Sequence, residues 1–379
     1  MTLIDPNSKI VSSFLEAKGY DPESEPLRVE GSARRYYRVQ SSHGDGAAIL
    51  CIETPFLPDH HDFLTVRDQL QAADVPVPSI LGMEPEHGLI LQTDAGTQDL
   101  EQWLASRGPG QEQELKGERL SDKEQLHGGG AEKAQGPLKQ PVEPREQSAQ
   151  SQHAEQLTEQ DALQKYREIV DWILAMQQIS PAPPVSERFF DKEKLHWEME
   201  FLYERLEKVS LERRIDVEPS FELKMFLLEV CEALGAQKDQ CFVHRDLHSR
   251  NIMIDGQSMT LIDFQDARTG NRFYDLASLV FDPYAGLAAR LRKEMIDYYF
   301  EKTGLEKGRG LLYLQGLQRI LKALGSYLYL GLEQGKSGYL ECVPPALDQL
   351  EACLHLGRFP DSVFLFILDC RKRLLPALR

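Results

Sequence analysis

Asp246, Asn251 and Asp263 are oxygen-bearing side chains, set in two short segments whose spacing suits phosphoryl chemistry. Asp246 and Asn251 lie in Val243-His244-Arg245-Asp246-Leu247-His248-Ser249-Arg250-Asn251, and Asp263 follows in Ile262-Asp263-Phe264-Gln265-Asp266. Transfer of a phosphoryl group from ATP needs little covalent help; it needs positioning and charge neutralisation. Asp246 can accept the proton of an attacking hydroxyl. Asn251 and Asp263 are hard oxygen donors of the kind Mg2+ prefers. A polar turn capped by an Asp would explain either segment alone. The order and spacing of both together fit an ATP-dependent phosphotransferase.

Such residues must be held by something. The apolar runs around them (Cys241–Val243, Ile252–Ile254, Thr260–Ile262) are short and bounded by turn formers such as Asp255-Gly256, which predicts a strand, a loop and a hairpin of two short strands. Upstream, residues 8–19 carry apolar groups at Ile10, Val11, Phe14 and Leu15 with helical spacing, ending at Gly19. Residues 27–39 read as strand, tight turn and strand, and 47–52 as a third strand. A hairpin of this kind covers ATP phosphates with the backbone N–H groups of its turn. Gly31 and Ser32 are therefore candidate nucleotide contacts. Arg34, Arg35 and Arg38 either form a solvated face or reach the phosphates with their guanidinium forks. Protein kinases place a Lys on the third strand, but Ile49-Leu50-Cys51-Ile52-Glu53 has none. Either a hairpin Arg substitutes or ATP is held differently.

Residues 61–73 look helical, and 80–83 and 88–92 look like strands running into Thr93-Asp94-Ala95-Gly96. This link suits an interlobe hinge that pairs with adenine, with Gln92 and Asp94 beside the base. A helix starts at Asp99. Residues 106–157 are Gln, Glu, Lys, Gly and Pro with few aromatic or β-branched residues, too little apolar surface to offset ordering entropy, and are expected to be a disordered insertion. Helical spacing returns at 163–179, 195–209, 221–234, 290–300, 311–332, 344–356 and 362–375. Asp275, at the start of a further helix, either holds the catalytic loop's backbone or is a plain N-terminal helix charge. Arg319, Lys322 and Lys336 are candidates for binding an acidic or acylated substrate, unless they are ordinary surface charges. The expected fold is α+β and bilobal: a small β-rich N-lobe over 1–93, and a larger helical C-lobe over 94–379 carrying the insertion.

The chain has 379 residues, 41% of them hydrophobic, and a formal net charge of −17. That charge argues against nucleic acid or an anionic membrane as the main partner. No apolar run is long enough for a membrane span, and the first residues lack the basic start and apolar core of a signal peptide. Six scattered cysteines without a Cys-x-x-Cys pair are expected to be reduced thiols in a cytoplasmic monomer.

His248 stands where protein kinases usually have a Lys, and an Ala-Pro-Glu segment is missing. His-x-Asp-x-His-x-x-Asn resembles the aminoglycoside phosphotransferase and choline kinase superfamily, over most of the chain outside 106–157. Within it, Gly31-Ser-Ala-Arg-Arg-Tyr-Tyr-Arg38, Val243–Asn251, Ile262–Ala267 and Gly316–Lys322 are similar to the bacterial anomeric kinases of N-acetylmuramic acid and N-acetylglucosamine. Those enzymes also tend to lack the third-strand Lys; their phosphate loop is longer than the one here. The resemblance implies transfer of the ATP γ-phosphate to the anomeric hydroxyl of an amino sugar in peptidoglycan recycling. Asp246 would be the base, Asn251 and Asp263 the Mg2+ ligands, and Arg250 a support for the loop or a phosphate. Asp266 would meet a sugar hydroxyl or support the metal site. The rivals are a kinase acting on an aminoglycoside or choline-like amine, and a catalytically dead nucleotide-binding module. Which sugar, and ATP or GTP, the residues leave open.

Overall fold

The computed structural model describes residues 3–27, 34–44, 46–107, 145–236 and 238–379, with side chains in 145–158 excepted. The small lobe opens with α1 (Lys9–Ala17), capped by Ser8, whose hydroxyl accepts from Val11 N. Strands β1 (Tyr20–Leu27), β2 (Arg35–Ser41) and β3 (Ala47–Ile52) follow, then α2 (Asp62–Ala72), β4 (Ile80–Glu84) and β5 (Leu89–Thr93). The strands form one antiparallel sheet in the order β1-β2-β3-β5-β4. β1 contains Pro22 and Pro26, which an edge position tolerates because one side of the strand has no ladder to feed. β3 is central and buried on both faces, hence its unbroken apolar sequence. One face of the sheet packs Tyr37, Val39, Leu50, Ile52, Leu89 and Leu91 against Val11, Phe14 and Leu15 of α1. The other face looks into the interlobe cleft.

Strand β6 (Gln98–Asp99) and α3 (Leu100–Ala105) begin the large lobe, and the Asp99 side chain accepts from Gln102 N in a capping box. Helix α4 spans Arg145–Met176, so the last part of the expected insertion forms its first turns, whereas residues 108–144 lie outside the described residues. Then come α5 (Lys192–Arg213), α6 (Phe221–Gly235), β7 (Gln240–Val243), β8 (Ile252–Asp255), β9 (Ser258–Leu261), β10 (Arg268–Asn271), α7 (Tyr274–Val280), α8 (Ala289–Thr303) and α9 (Arg309–Leu328). A π-helical stretch at Tyr329–Glu333 ends α9, and α10 (Val343–Leu356), α11 (Asp361–Asp369) and α12 (Leu375–Ala377) complete the chain. β8 and β9 form the expected hairpin beside β6; β7 pairs with β10. Helix α9 is buried on most of its sides, packed against α5, α7 and α10, and forms the axis of the lobe.

Helix α2 belongs to the small lobe by sequence but not by packing. Its Val66 and Leu70 are wholly buried in the large-lobe core, while Leu64 and Phe63 pack with Cys51 and Ile90 of the sheet. All six cysteines are buried thiols outside any disulfide, and no described helix is long and apolar enough to cross a membrane.

Candidate active site

The loop from His244 to Asn251 is pinned from beneath by two buried carboxylates. Asp275, in the first turn of α7, accepts from His244 N (2.7 Å) and Arg245 N (3.1 Å). Asp282 accepts from Ser249 N (2.7 Å) and Tyr284 N (2.8 Å). These bonds hold Arg245 at φ +85°, a costly conformation for a side-chain-bearing residue. Burial raises both carboxyls, Asp275 to about 7, against the pull of the N–H groups they accept from. The His244 ring lies 3.0 Å from the Ile262 carbonyl and ties the loop to the segment before Asp263. Of the two readings of Asp275, the loop-holding one describes the geometry.

Asp246 projects from this loop into the cleft, its side chain 24% exposed. Arg319 Nη2 donates to its Oδ1 at 2.9 Å, Lys322 Nζ stands 3.7 Å from the same oxygen, and Arg245 Nε is 3.5 Å from Oδ2. Burial alone would raise this carboxyl, but Lys322, Arg319 and Arg245 hold it far below the usual carboxylate range. Arg319 and Lys322 are one turn apart on α9 and so share a face. Arg319 is fixed from behind, its Nε donating to Ser278 Oγ (3.1 Å). Buried Glu198 accepts from Gln318 of the same helix (2.9 Å). His248 packs edge-on against Tyr284, and burial lowers its pKa to about 3, leaving a neutral ring.

Asn251 Nδ2 donates to the Asp246 carbonyl (2.8 Å) and lies 3.5 Å from Asp263 Oδ2. Asp263 sits at φ +62° and accepts from Gln265 Nε2 at Oδ1 (2.7 Å). The two side chains thus bring amide and carboxylate oxygens to one wall of the cleft, an all-oxygen donor pair that fits Mg2+.

The cleft has a volume of about 1590 Å³ and runs between the lobes from the 93–97 link to α9. Ile49 lines it from the sheet, and Met253 and Ile262 from the large lobe, an apolar slot of the kind a flat base occupies. Gln92 is buried at its rim. Asp94 takes both Nε (2.6 Å) and Nη2 (3.1 Å) of Arg38, whose Nη2 also donates to the Gly96 carbonyl (3.1 Å). Arg38 therefore braces the link. Arg35 is exposed on the face of β2 away from the cleft, as strand alternation requires for a neighbour of Arg34. Arg34 lines the cleft, and its Nε donates to Glu53 Oε2 at 2.8 Å. Glu53 Oε1 is 2.7 Å from His61 Nε2. Burial works against the Glu53 carboxylate, but His61 and Arg34 hold its pKa below the ordinary value. Gly31 and Ser32 lie outside the described residues.

Arg250 turns away from Asp246. It forms a bidentate pair with Glu101 (2.5 and 3.2 Å) and lies over the Tyr284 ring at 3.9 Å, which joins the loop to α3. Asp266 is half-exposed and 3.3 Å from Arg245 Nη1. Lys336 is not brought to the cleft wall; its N–H closes a turn onto Leu330 O, while nearby Tyr339 does line the cleft. Sequence reasoning missed Glu53, His61, Glu101 and Ser278, and with them the aromatic wall of Tyr284, Tyr327 and Tyr339. The one available signal was Glu53, a charged residue closing an otherwise apolar strand.

Residues 24–311 match the model of the phosphotransferase enzyme family. The chain is 24% identical to an N-acetylmuramate/N-acetylglucosamine kinase of Pseudomonas aeruginosa, over 89% of this chain and 86% of that protein. A protein of the same name from Pseudomonas putida is also 24% identical, over 88% and 83%. Among solved structures, a choline/ethanolamine kinase family protein of Mesorhizobium loti superposes with a TM-score of 0.52 at 14% identity, covering 97% of this chain and 99% of that one. The aminoglycoside phosphotransferase APH(4)-Ia, bound to ADP and hygromycin B, gives 0.50 at 15% identity over 92% and 99%. The fold is common to this chain and the two solved structures.

Proposed function

The chain belongs to the phosphotransferase enzyme family, and from that premise we propose that it moves the γ-phosphoryl group of ATP onto the anomeric hydroxyl of N-acetylmuramic acid or N-acetylglucosamine. The observation that carries the reading is Asp246 standing in the cleft between Arg319 and Lys322, beside Asn251 and Asp263. As the acceptor oxygen bonds to phosphorus and the bond to the ADP oxygen breaks, the acceptor's proton passes to the Asp246 carboxylate. A carboxylate of such low basicity is a weak base, but an anomeric hydroxyl is more acidic than an ordinary alcohol, and a loose transition state asks for little proton removal before the phosphoryl group moves. Asn251 and Asp263 would hold Mg2+, which when bound neutralises charge on the phosphates. Arg319 and Lys322 supply further positive charge at the acceptor end, where a lactyl carboxylate would be welcome. The aromatic wall of Tyr284, Tyr327 and Tyr339 offers a flat surface for a sugar ring.

Those two cations also weigh against a polycationic acceptor. Placing an ammonium group beside Asp246 would set like charges against Arg319 and Lys322 in a partly buried site. An aminoglycoside or choline is therefore the second reading.

The test is ATP consumption with N-acetylmuramic acid, N-acetylglucosamine, kanamycin and choline, using wild type and Asp246→Asn. Phosphate on the sugar C1, lost in the variant, supports the proposal. Turnover confined to kanamycin or choline would replace it with the second reading. ATP binding without turnover on any acceptor would leave a binding module.

A further inference from the structure

We propose that Arg34 stands in for the missing third-strand Lys as the side chain that holds the ATP phosphates, and that Glu53 and His61 are positioning residues acting through it. The argument starts from the cleft-facing side of β3. Alternation puts Ile49, Cys51 and Glu53 on that side, two uncharged residues and an acid, so the strand offers a phosphate no cation. Of the three hairpin arginines, Arg38 is engaged by Asp94 and the Gly96 carbonyl, and Arg35 faces away. Arg34, ion-paired to Glu53, lines the same cleft as Asp263 and Asn251 and directly follows residues 28–33 in the chain.

Glu53 grips the Nε edge of Arg34 at 2.8 Å, and its other oxygen meets His61 at 2.7 Å. His61 is itself only 7% exposed, packed against Phe56 and Phe63 at the start of α2. A guanidinium whose Nε is held by a carboxylate is oriented before a phosphate reaches it. The ion pair joins the ends of neighbouring strands: Arg34 stands just before β2 and Glu53 just after β3.

The inference concerns the nucleotide end and holds whichever hydroxyl compound is the acceptor. It is tested by calorimetric binding of ATP, ADP and adenosine to the full-length chain, in wild type, Arg34→Met, Arg34→Lys, Glu53→Gln and the Arg34→Met/Glu53→Gln double variant. Loss of a charge-assisted contact predicts roughly tenfold to a hundredfold weaker ATP and ADP binding in Arg34→Met, with adenosine unchanged. Arg34→Lys keeps the charge without the fork and should show the same contrast at smaller amplitude, which preserves the test if the Met variant misfolds. Glu53→Gln should weaken ATP binding in the wild-type background and add nothing once Arg34 is gone. Equal loss for ATP and adenosine, no loss for either, or multiplying effects in the double variant would each overturn the proposal. Failure of every sugar acceptor would sink the proposed reaction and leave this contrast intact.

Discussion

Replacing Lys322 with Met removes one charge next to Asp246 while keeping the length and most of the volume of the side chain. The two groups are 3.7 Å apart, with side-chain exposures of 16% and 24%. At that separation two unit charges interact by about 4 kcal/mol for an effective dielectric near 20, and by about 1 kcal/mol in bulk water. One pKa unit corresponds to about 1.4 kcal/mol, so the Asp246 carboxyl should rise by about 1 to 3 units. The wild-type carboxyl lies far below the usual range. On its proposed role as base, kcat/KM for ATP in wild type should stay flat on the acid side down to about pH 4. In Lys322→Met the raised carboxyl should still ionise below about pH 4, so the rate profile should stay flat above that pH and the change should appear in stability. The folded-state pKa of Asp246 is depressed, so its contribution to stability is present above the unfolded value and lost as pH falls through the folded one. The variant should therefore also melt lower at neutral pH. The assays are urea unfolding at about pH 7 and the pH dependence of kcat/KM at saturating N-acetylglucosamine; this neutral acceptor keeps any carboxylate contact of Lys322 out of the rate measurement. Unchanged stability at about pH 7 would refute the claim that this ion pair holds the Asp246 carboxyl down.

Asp263→Ala should lower turnover by at least about a thousandfold with little change in melting temperature, and Asn251→Ala should raise the Mg2+ concentration needed for half-maximal rate. A magnesium titration of the rate checks both. Arg250→Ala breaks the bidentate pair with Glu101 and the contact with Tyr284, and should cost about 1 to 2 kcal/mol in urea unfolding, Arg250 being 39% exposed and partly screened. Gly88→Ala should cost at least about 2 kcal/mol, because Gly88 has φ +70° and a Cβ there would stand 2.0 Å from the Glu53 carbonyl. Since that clash displaces Glu53, nucleotide binding should weaken in parallel, as read by calorimetry alongside the melt.

The catalytic loop was legible because its residues are close in sequence and each type has a chemical reason. Arg319 and Lys322 were legible as a pair because helical spacing puts them on one face, but their target was not: Asp246 lies 73 residues before Arg319. The same limit hid Glu53 and His61, whose side chains look like a strand end and a loop until the fold places them together. Arg250 looked like part of the chemistry because it sits one residue before Asn251, yet its long side chain reaches back to Glu101. The strand over residues 20–26 went unread, since Pro22 and Pro26 mask a strand whose edge position makes them harmless, and the strand end and turn expected over 28–33 lie outside the described residues. Helix α4 begins earlier than its apolar spacing, because Gln, Glu and Ala favour helix without marking a buried face. The central apolar strands and the large-lobe helices came through clearly, their periodicity being the direct imprint of burial.

Helix α2 is rooted in the large lobe by Val66 and Leu70, yet His61 at its start holds Glu53 of the small-lobe sheet, and Phe63 stacks on Phe264 beside Asp263 at 5.0 Å. The linkage from α2 to Arg34 therefore crosses the boundary between the two lobes. Any rotation that lifts the sheet off α2 parts Glu53 from His61 and loosens the guanidinium at the same time. If the lobes close on their ligands, closure and the holding of Arg34 would be one event seen from two ends, and thermodynamic reciprocity would follow. An acceptor that draws the lobes together should tighten nucleotide binding, and a nucleotide carrying its phosphates should tighten the acceptor by the same factor.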